Sequence, residues 1–143
     1  MFELDARLAA DCEQLASLPL CELLLMNDAN YPWLILVPGR EGLRELCELD
    51  ASDAAQLQRE SNAVSAMLLD VFGAEKLNVA ALGNLVPQLH VHHIARFESD
   101  VAWPKPVWGL VAAKPYDESA LAERCQRIRN YLDGQVSLDI TWR

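Results

Sequence analysis

The sequence is short of cations: 12 Lys plus Arg stand against 21 Asp plus Glu, leaving a net charge of -9. A chain with that balance repels polyanions at long range, which excludes electrostatic capture of nucleic acid or of an anionic membrane surface. Any anionic ligand must be met by a local site. Long hydrophobic runs are also missing. The longest, such as Leu23 to Met26 and Trp33 to Pro38, are far too short to cross a bilayer. The first residues, Met1-Phe2-Glu3-Leu4-Asp5, carry acids where a secretory leader carries bases, so a cytoplasmic location is expected. Cysteine is sparse and unpatterned. Cys12, Cys21, Cys47 and Cys125 show no Cys-x-x-Cys spacing, which fits free thiols in a reducing compartment. Six glycines and seven prolines never gather into a linker, and no repeat or low-complexity stretch interrupts the chain. Residues 1–143 are therefore read as one domain.

Against these absences stands an apolar content of 52% in 143 residues, enough to build a core without disulfides or a structural metal. Leu4, Leu8, Cys12 and Leu15 recur at helical spacing before Ser17-Leu18-Pro19 ends the pattern, so a short N-terminal helix is expected. Leu20 to Asn27 and Trp33 to Val37 have strand length and are joined by Asp28-Ala29-Asn30-Tyr31-Pro32, whose composition favours a tight connection and a hairpin. From Asp50 or Ser52 to Phe72, Ala54, Leu57, Ser61, Val64, Leu68 and Val71 recur in steps of three and four. That stripe predicts a long amphipathic helix, capped by Asp50 or Ser52 and stopped by Gly73.

Leu77 to Leu82 and Leu89 to Phe97 read as two more strands with a short turn at Gly83-Asn84. Between Asp100 and Tyr116, Pro and Trp residues predict an ordered but irregular loop. Leu121, Cys125, Ile128 and Leu132 mark a C-terminal helix ended by Gly134, and Val136, Leu138, Ile140 and Trp142 alternate as a final strand. The class is α+β: an antiparallel sheet of about five strands with flanking helices.

All three histidines fall within four positions, in Gln88-Leu89-His90-Val91-His92-His93. On a strand, Gln88, His90 and His92 share one face and His93 takes the other. Two imidazoles and an amide then line one surface, with same-face neighbours about 6 to 7 Å apart. They are close enough to meet one phosphate or one metal ion. A polar sheet face is the bland alternative. A zinc site needs a third protein ligand that the sequence does not supply, so no metal and no cofactor are expected.

The segment Val86-Pro87-Gln88-Leu89-His90-Val91-His92-His93-Ile94-Ala95-Arg96 resembles the signature of the histidine triad (HIT) superfamily, His-x-His-x-His followed by apolar residues. Val37-Pro38, the long helix and Leu77-Asn78-Val79 are similar to family features in the same order, over roughly residues 20 to 108. The resemblance implies a HIT-like fold, a homodimer and a small-molecule nucleotide as partner. It also implies a nucleotide hydrolase or nucleotidyl transferase in which His90 attacks the α-phosphate, with His92 and Gln88 donating to phosphate oxygens. Asn27 or Asp28 matches the position that holds a ribose diol, while Asn78 and Asn84 are candidate nucleotide contacts. Arg96 matches the motif's terminal Arg, and Trp103 and Trp108 are candidates to cap the pocket.

The sequence departs from the family pattern at His93, an imidazole where the family has an apolar residue, and in three further places. Gln88 stands for the first triad His, and an amide cannot protonate a leaving group. Leu34 stands where many members carry another His, and the 78–88 connection lacks the usual Gly-Gln-x-Val phrase. A non-catalytic nucleotide-binding or interaction protein is therefore the alternative, with a His-x-His metal site behind it.

Overall fold

The computed structural model describes residues 1–135 and 138–143. A helix α1 (Ala6–Asp11) leads into β1 (Cys12–Ser17), followed by β2 (Cys21–Met26), β3 (Trp33–Pro38), α2 (Ala51–Phe72), β4 (Lys76–Ala80), β5 (Val91–Arg96), α3 (Glu118–Asp133) and β6 (Thr141–Trp142). The strands form one sheet in the order β4-β5-β3-β2-β1-β6, antiparallel at every pairing.

The hairpin of β2 and β3 and the long helix form where their sequence patterns place them. The Asp50 carboxylate caps α2 by accepting from the Asp53 N–H, and Gly73 closes it at φ 67°, the left-handed conformation that glycine adopts without a Cβ penalty. The apolar stripe of α2, with Leu57, Val64, Met67 and Leu68, packs on one face of the sheet against Leu23, Leu25, Leu34, Leu36, Val91 and Ala95. Ile128 and Leu132 of α3 complete that layer. The opposite face buries Leu24, Trp33, Ile35, Val37 and Ile94 under Leu8, Tyr31, Ala102 and Val107. β3 and β5 are buried on both faces, so the histidine motif runs through the middle of the fold.

Three expectations are corrected. The N-terminal helix ends at Asp11, and residues 12–17 form the extra strand β1. A bulge between Gln14 and Ala16 leaves Leu15 and Ala16 both buried, which breaks the alternation that would have marked a strand. The connection between β4 and β5 is a ten-residue loop, 81–90, instead of a short turn at Gly83-Asn84. Pro87 brings no N–H to a ladder, and the Leu89 N–H donates to Leu43 O at 2.9 Å, away from β4. The last strand is only Thr141–Trp142, paired with Ala16 and Ser17; Val136 lies outside the described residues.

One carboxylate joins α2 to the sheet. Glu60, fully buried, accepts from the Leu20 and Cys21 N–H groups at 3.0 and 2.9 Å and from Gln56 Nε2 at 2.8 Å. It thereby satisfies the backbone where the turn after β1 enters β2. Glu60→Ala removes the acceptor and leaves two buried N–H groups unpaired, so a loss of about 3 kcal/mol is expected in urea unfolding. Glu60→Gln, which keeps one acceptor oxygen, should lose less.

Candidate functional site

β5 carries His92 toward the face opposite α2 and His93 toward α2 itself. The His93 ring is wholly buried. Its Nδ1 lies 3.1 Å from Val91 O and its Nε2 2.8 Å from the Ser61 hydroxyl. A carbonyl oxygen only accepts, so Nδ1 donates and Nε2 takes the Ser61 proton. His93 is therefore a structural bridge between β5 and α2. Leu34 lies opposite His93 in the sheet on that same inner layer.

His90 precedes the strand, yet its ring reaches the same side as His92, with centroids 4.9 Å apart at 69°. The partners of each ring fix its tautomer. His90 Nδ1 is 2.6 Å from Gln88 O; the carbonyl accepts, so Nδ1 carries the proton and Nε2 keeps a free lone pair. Trp33 Nε1 donates to His92 Nδ1 at 3.0 Å, so His92 keeps its proton on Nε2. The pair thus presents one basic nitrogen and one N–H donor. Burial, reinforced by His90 and His93, pushes His92 down to about 3. Burial also pushes His93 down to about 4, against the favourable Val91 carbonyl. Both rings are neutral at pH 7.

Gln88 does not share the strand geometry expected for it, because β5 begins only at Val91. Its amide is bound by the N-terminal segment: Oε1 accepts from the Asp5 N–H at 2.9 Å and Nε2 donates to Glu3 O at 2.8 Å. Arg7 adds a third tie to this loop, donating to Leu85 O at 2.8 Å. The side chain latches residues 3–7 onto the loop while the main chain of the same residue holds His90.

Beyond His92 lies a cleft of about 340 Å³ bordered by Met26, Asn27, Asp28, Trp33 and Trp108. Trp108 and Trp33 line this cleft and pack against His92, their ring centroids 5.2 and 5.6 Å from its own. Asp28 is buried and its Oδ1 accepts from the Asn30 and Lys114 N–H groups. Asn27 Oδ1 accepts from the Tyr116 N–H. Both residues tie the end of β2 to the 100–116 loop.

Other candidates are placed elsewhere. Asn78 Oδ1 accepts from Arg96 Nη1 at 2.8 Å, and Asn84 is exposed in the 81–90 loop, bordering neither the cleft nor the hollow beside His90. Arg96, which matches the motif's terminal Arg, orients a carboxylate: its Nε is 2.8 Å from Asp100, with both groups buried. Burial works against the Asp100 charge, but Arg96 and three backbone N–H groups outweigh it and hold the carboxyl at about 2. Trp103 lies over that guanidinium, 5.6 Å away, so of the two tryptophans only Trp108 reaches the histidines. Sequence reasoning missed Trp33 as the partner of His92; its place on a strand opposite the motif was the available signal. Among the described residues, no group of three or more His, Cys, Asp or Glu is arranged to hold a metal ion, and no helix is long and apolar enough to cross a membrane.

A family model described as "HIT domain" matches residues 7–99. No curated protein matches the chain. Among solved structures, a histidine triad protein from Marinobacter aquaeolei VT8 is 48% identical, covering 93% of this chain and 97% of its own, with a TM-score of 0.91. One from Bradyrhizobium japonicum is 45% identical, with coverages of 91% and 97% and a TM-score of 0.89. A third, from Sinorhizobium meliloti 1021, is 48% identical, with coverages of 92% and 97% and the same TM-score.

The buried imidazoles set a pH dependence. An unfolded histidine titrates near 6.5, whereas His92 and His93 titrate at about 3 and 4 in the fold. As pH falls from about 6.5 toward 4, the unfolded chain binds more protons, and the fold loses up to about 1.4 kcal/mol per pH unit for each ring. Urea midpoints should therefore drop steadily between pH 6.5 and 4.5 and less steeply in His93→Gln. A flat profile in the wild type would contradict the neutral assignments.

Proposed function

The chain belongs to the HIT domain family, and on that premise we propose that it is a nucleotide hydrolase or nucleotidyl transferase with His90 as its nucleophile. The observation that carries this reading is the 2.6 Å contact of His90 Nδ1 with the Gln88 carbonyl. With its proton held there, the ring keeps the Nε2 lone pair for attack, and the carbonyl stabilises the positive charge that the ring gains.

In the first step His90 Nε2 bonds to the α-phosphorus of a nucleoside 5'-phosphate derivative. The bond to the leaving group breaks, and its electron pair departs with that group. In the second step water, or another acceptor, adds through oxygen. The N–P pair returns to Nε2, and the acceptor's proton passes to solvent. His92 Nε2–H donates to a nonbridging oxygen, where charge develops during both steps. The cleft takes the nucleoside, with Asn27 and Asp28 toward the ribose and Trp108 as an aromatic wall. Gln88 contributes chiefly by holding the loop.

A homodimer in the cytoplasm belongs to the same reading. Its support is the open edge strand β4, where Val79 is exposed together with Leu82 and Leu85 of the following loop; an unpaired edge with apolar side chains favours pairing with a second chain. Light scattering at micromolar concentration should report twice the 16.0 kDa chain mass, and a monomer would remove the dimer from this reading.

His90→Gly should abolish turnover of activated adenosine phosphates while leaving the unfolding midpoint near that of the wild type. His92→Ala should lower kcat by about 10² to 10³, the usual cost of losing one donor to a charged transition state. Gln88→Ala should cost less than either. Full activity in His90→Gly would refute the mechanism. Nucleotide binding without turnover of any nucleotide in the wild type would favour a binding protein.

A further inference from the structure

Beside α3 lies a separate depression of about 200 Å³, bordered by Ala29, Tyr116, Ala120, Glu123, Arg124 and Arg127. It shares no bordering residue with the cleft beyond His92. The guanidinium carbons of Arg124 and Arg127 lie 5.0 and 4.7 Å from the centroid of one ring, that of Phe72 at the end of α2. Arg124 is also 5.3 Å from the centroid of the Tyr116 ring. Aromatic faces hold guanidinium groups by cation–π attraction and leave their N–H edges available. Two cations are thereby gathered at one spot in a chain of net charge -9.

Neither cation has an anionic partner. Among the described residues no carboxylate lies within ion-pair distance of Arg124 or Arg127, whereas Arg7, Arg40, Arg96, Arg129 and Arg143 are each paired. Glu123 stands four residues before Arg127, the spacing at which a helix ordinarily pairs such charges. Arg127 instead turns to Phe72 and donates through Nη2 to Val71 O at 2.7 Å. Arg124 donates through Nη1 to the Tyr116 hydroxyl oxygen, also at 2.7 Å. A guanidinium has five N–H donors, and each of these two spends one on the described residues. The Tyr116 hydroxyl, which accepts from Arg124, keeps its own proton for a further acceptor. Burial pushes this phenol up, against the lowering effect of Arg124, so the proton stays in place at neutral pH. Like charges at i and i+3 of a helix repel, and an anion bridging them would turn that cost into attraction.

We propose that this depression binds a phosphoryl dianion, as inorganic phosphate or as a phosphate monoester, between Arg124, Arg127 and the Tyr116 hydroxyl. Guanidinium forks donate to phosphate oxygens by strong charge-assisted bonds. A carboxylate offers two oxygens to these three groups, and a phosphoryl dianion offers three. The volume falls below that of pockets that enclose drug-sized ligands, so the phosphoryl group is the part enclosed. Glu123 at the rim opposes the anion and weakens its binding. The site is independent of the His90 mechanism.

Proton–nitrogen-15 spectra that observe arginine side chains test this on the full chain. Titration with inorganic phosphate at low ionic strength should shift the Nε–H resonances of Arg124 and Arg127 in one saturable step. The same midpoint is expected in His90→Gly, which separates this site from any phosphate held at the histidines. Arg124→Gln should raise the midpoint, read at Arg127, at least tenfold, the cost of one charge-assisted bond. Tyr116→Phe should raise it about fivefold, as for a neutral donor. Glu123→Gln, a change at an exposed side chain, should lower it. Glycerol 3-phosphate should compete for the same resonances: a lower midpoint than that of phosphate assigns the site to a monoester, a higher one to the free ion. Absence of a saturable shift in the millimolar range overturns the proposal. A midpoint that Arg124→Gln and Glu123→Gln both leave unchanged overturns it as well.

Discussion

Every side chain of β5 is buried, and an imidazole in such a strand is tolerated only when neutral and hydrogen-bonded. An isolated buried charge is too costly, and an unpaired ring nitrogen costs most of a lost hydrogen bond. That constraint dictates the neighbours of the histidines. Trp33 offers a donor to His92, Ser61 offers a hydroxyl to His93, and the carbonyls of Gln88 and Val91 accept from His90 and His93. Because indole only donates and carbonyls only accept, these partners select a tautomer for each ring. Stability and chemistry are thus set by the same contacts: the bonds that make burial acceptable also leave one lone pair, at His90 Nε2, for use.

The two faces of the sheet divide the work. On the inner face, α2 and α3 bury the apolar layer, with Glu60 and Ser61 as adjacent polar ties to the strands. On the outer face the cover is irregular: the N-terminal segment is latched by Gln88, and the 97–116 loop is organised by the buried Arg96–Asp100 pair. Loops held by specific bonds can shape a cleft around fixed histidines without moving the sheet. The amide at position 88 belongs to this design, since a neutral side chain with one donor and one acceptor can pair with both Glu3 O and the Asp5 N–H.

The sequence made the helical periodicities of α2 and α3 readable, together with their caps, and the hairpin of β2 and β3 was readable as two apolar runs of strand length joined by turn-forming residues. β1 was hidden because its bulge breaks the alternation, and the 81–90 loop was hidden because its backbone bonds go to Leu43 and the N-terminal segment instead of to a strand partner. The histidines were visible as a cluster, and the HIT resemblance came from an ungapped motif. Their partners were not visible. Trp33 and the Gln88 latch act across 59 and about 83 positions of chain, distances over which only the fold decides which residues meet.

The central claim is that the paired imidazoles hold opposite tautomers, His90 with a proton on Nδ1 and a neutral His92 with its proton on Nε2. Long-range nitrogen-15 to proton correlation spectra of the free protein report this directly, because protonated and unprotonated ring nitrogens resonate far apart. Between pH 7 and 5 the account predicts an Nδ1–H pattern for His90 at pH 7 and an unchanged Nε2–H pattern for His92 throughout. A His92 ring that becomes doubly protonated by pH 5, or a His90 ring carrying its proton on Nε2 at pH 7, would contradict it.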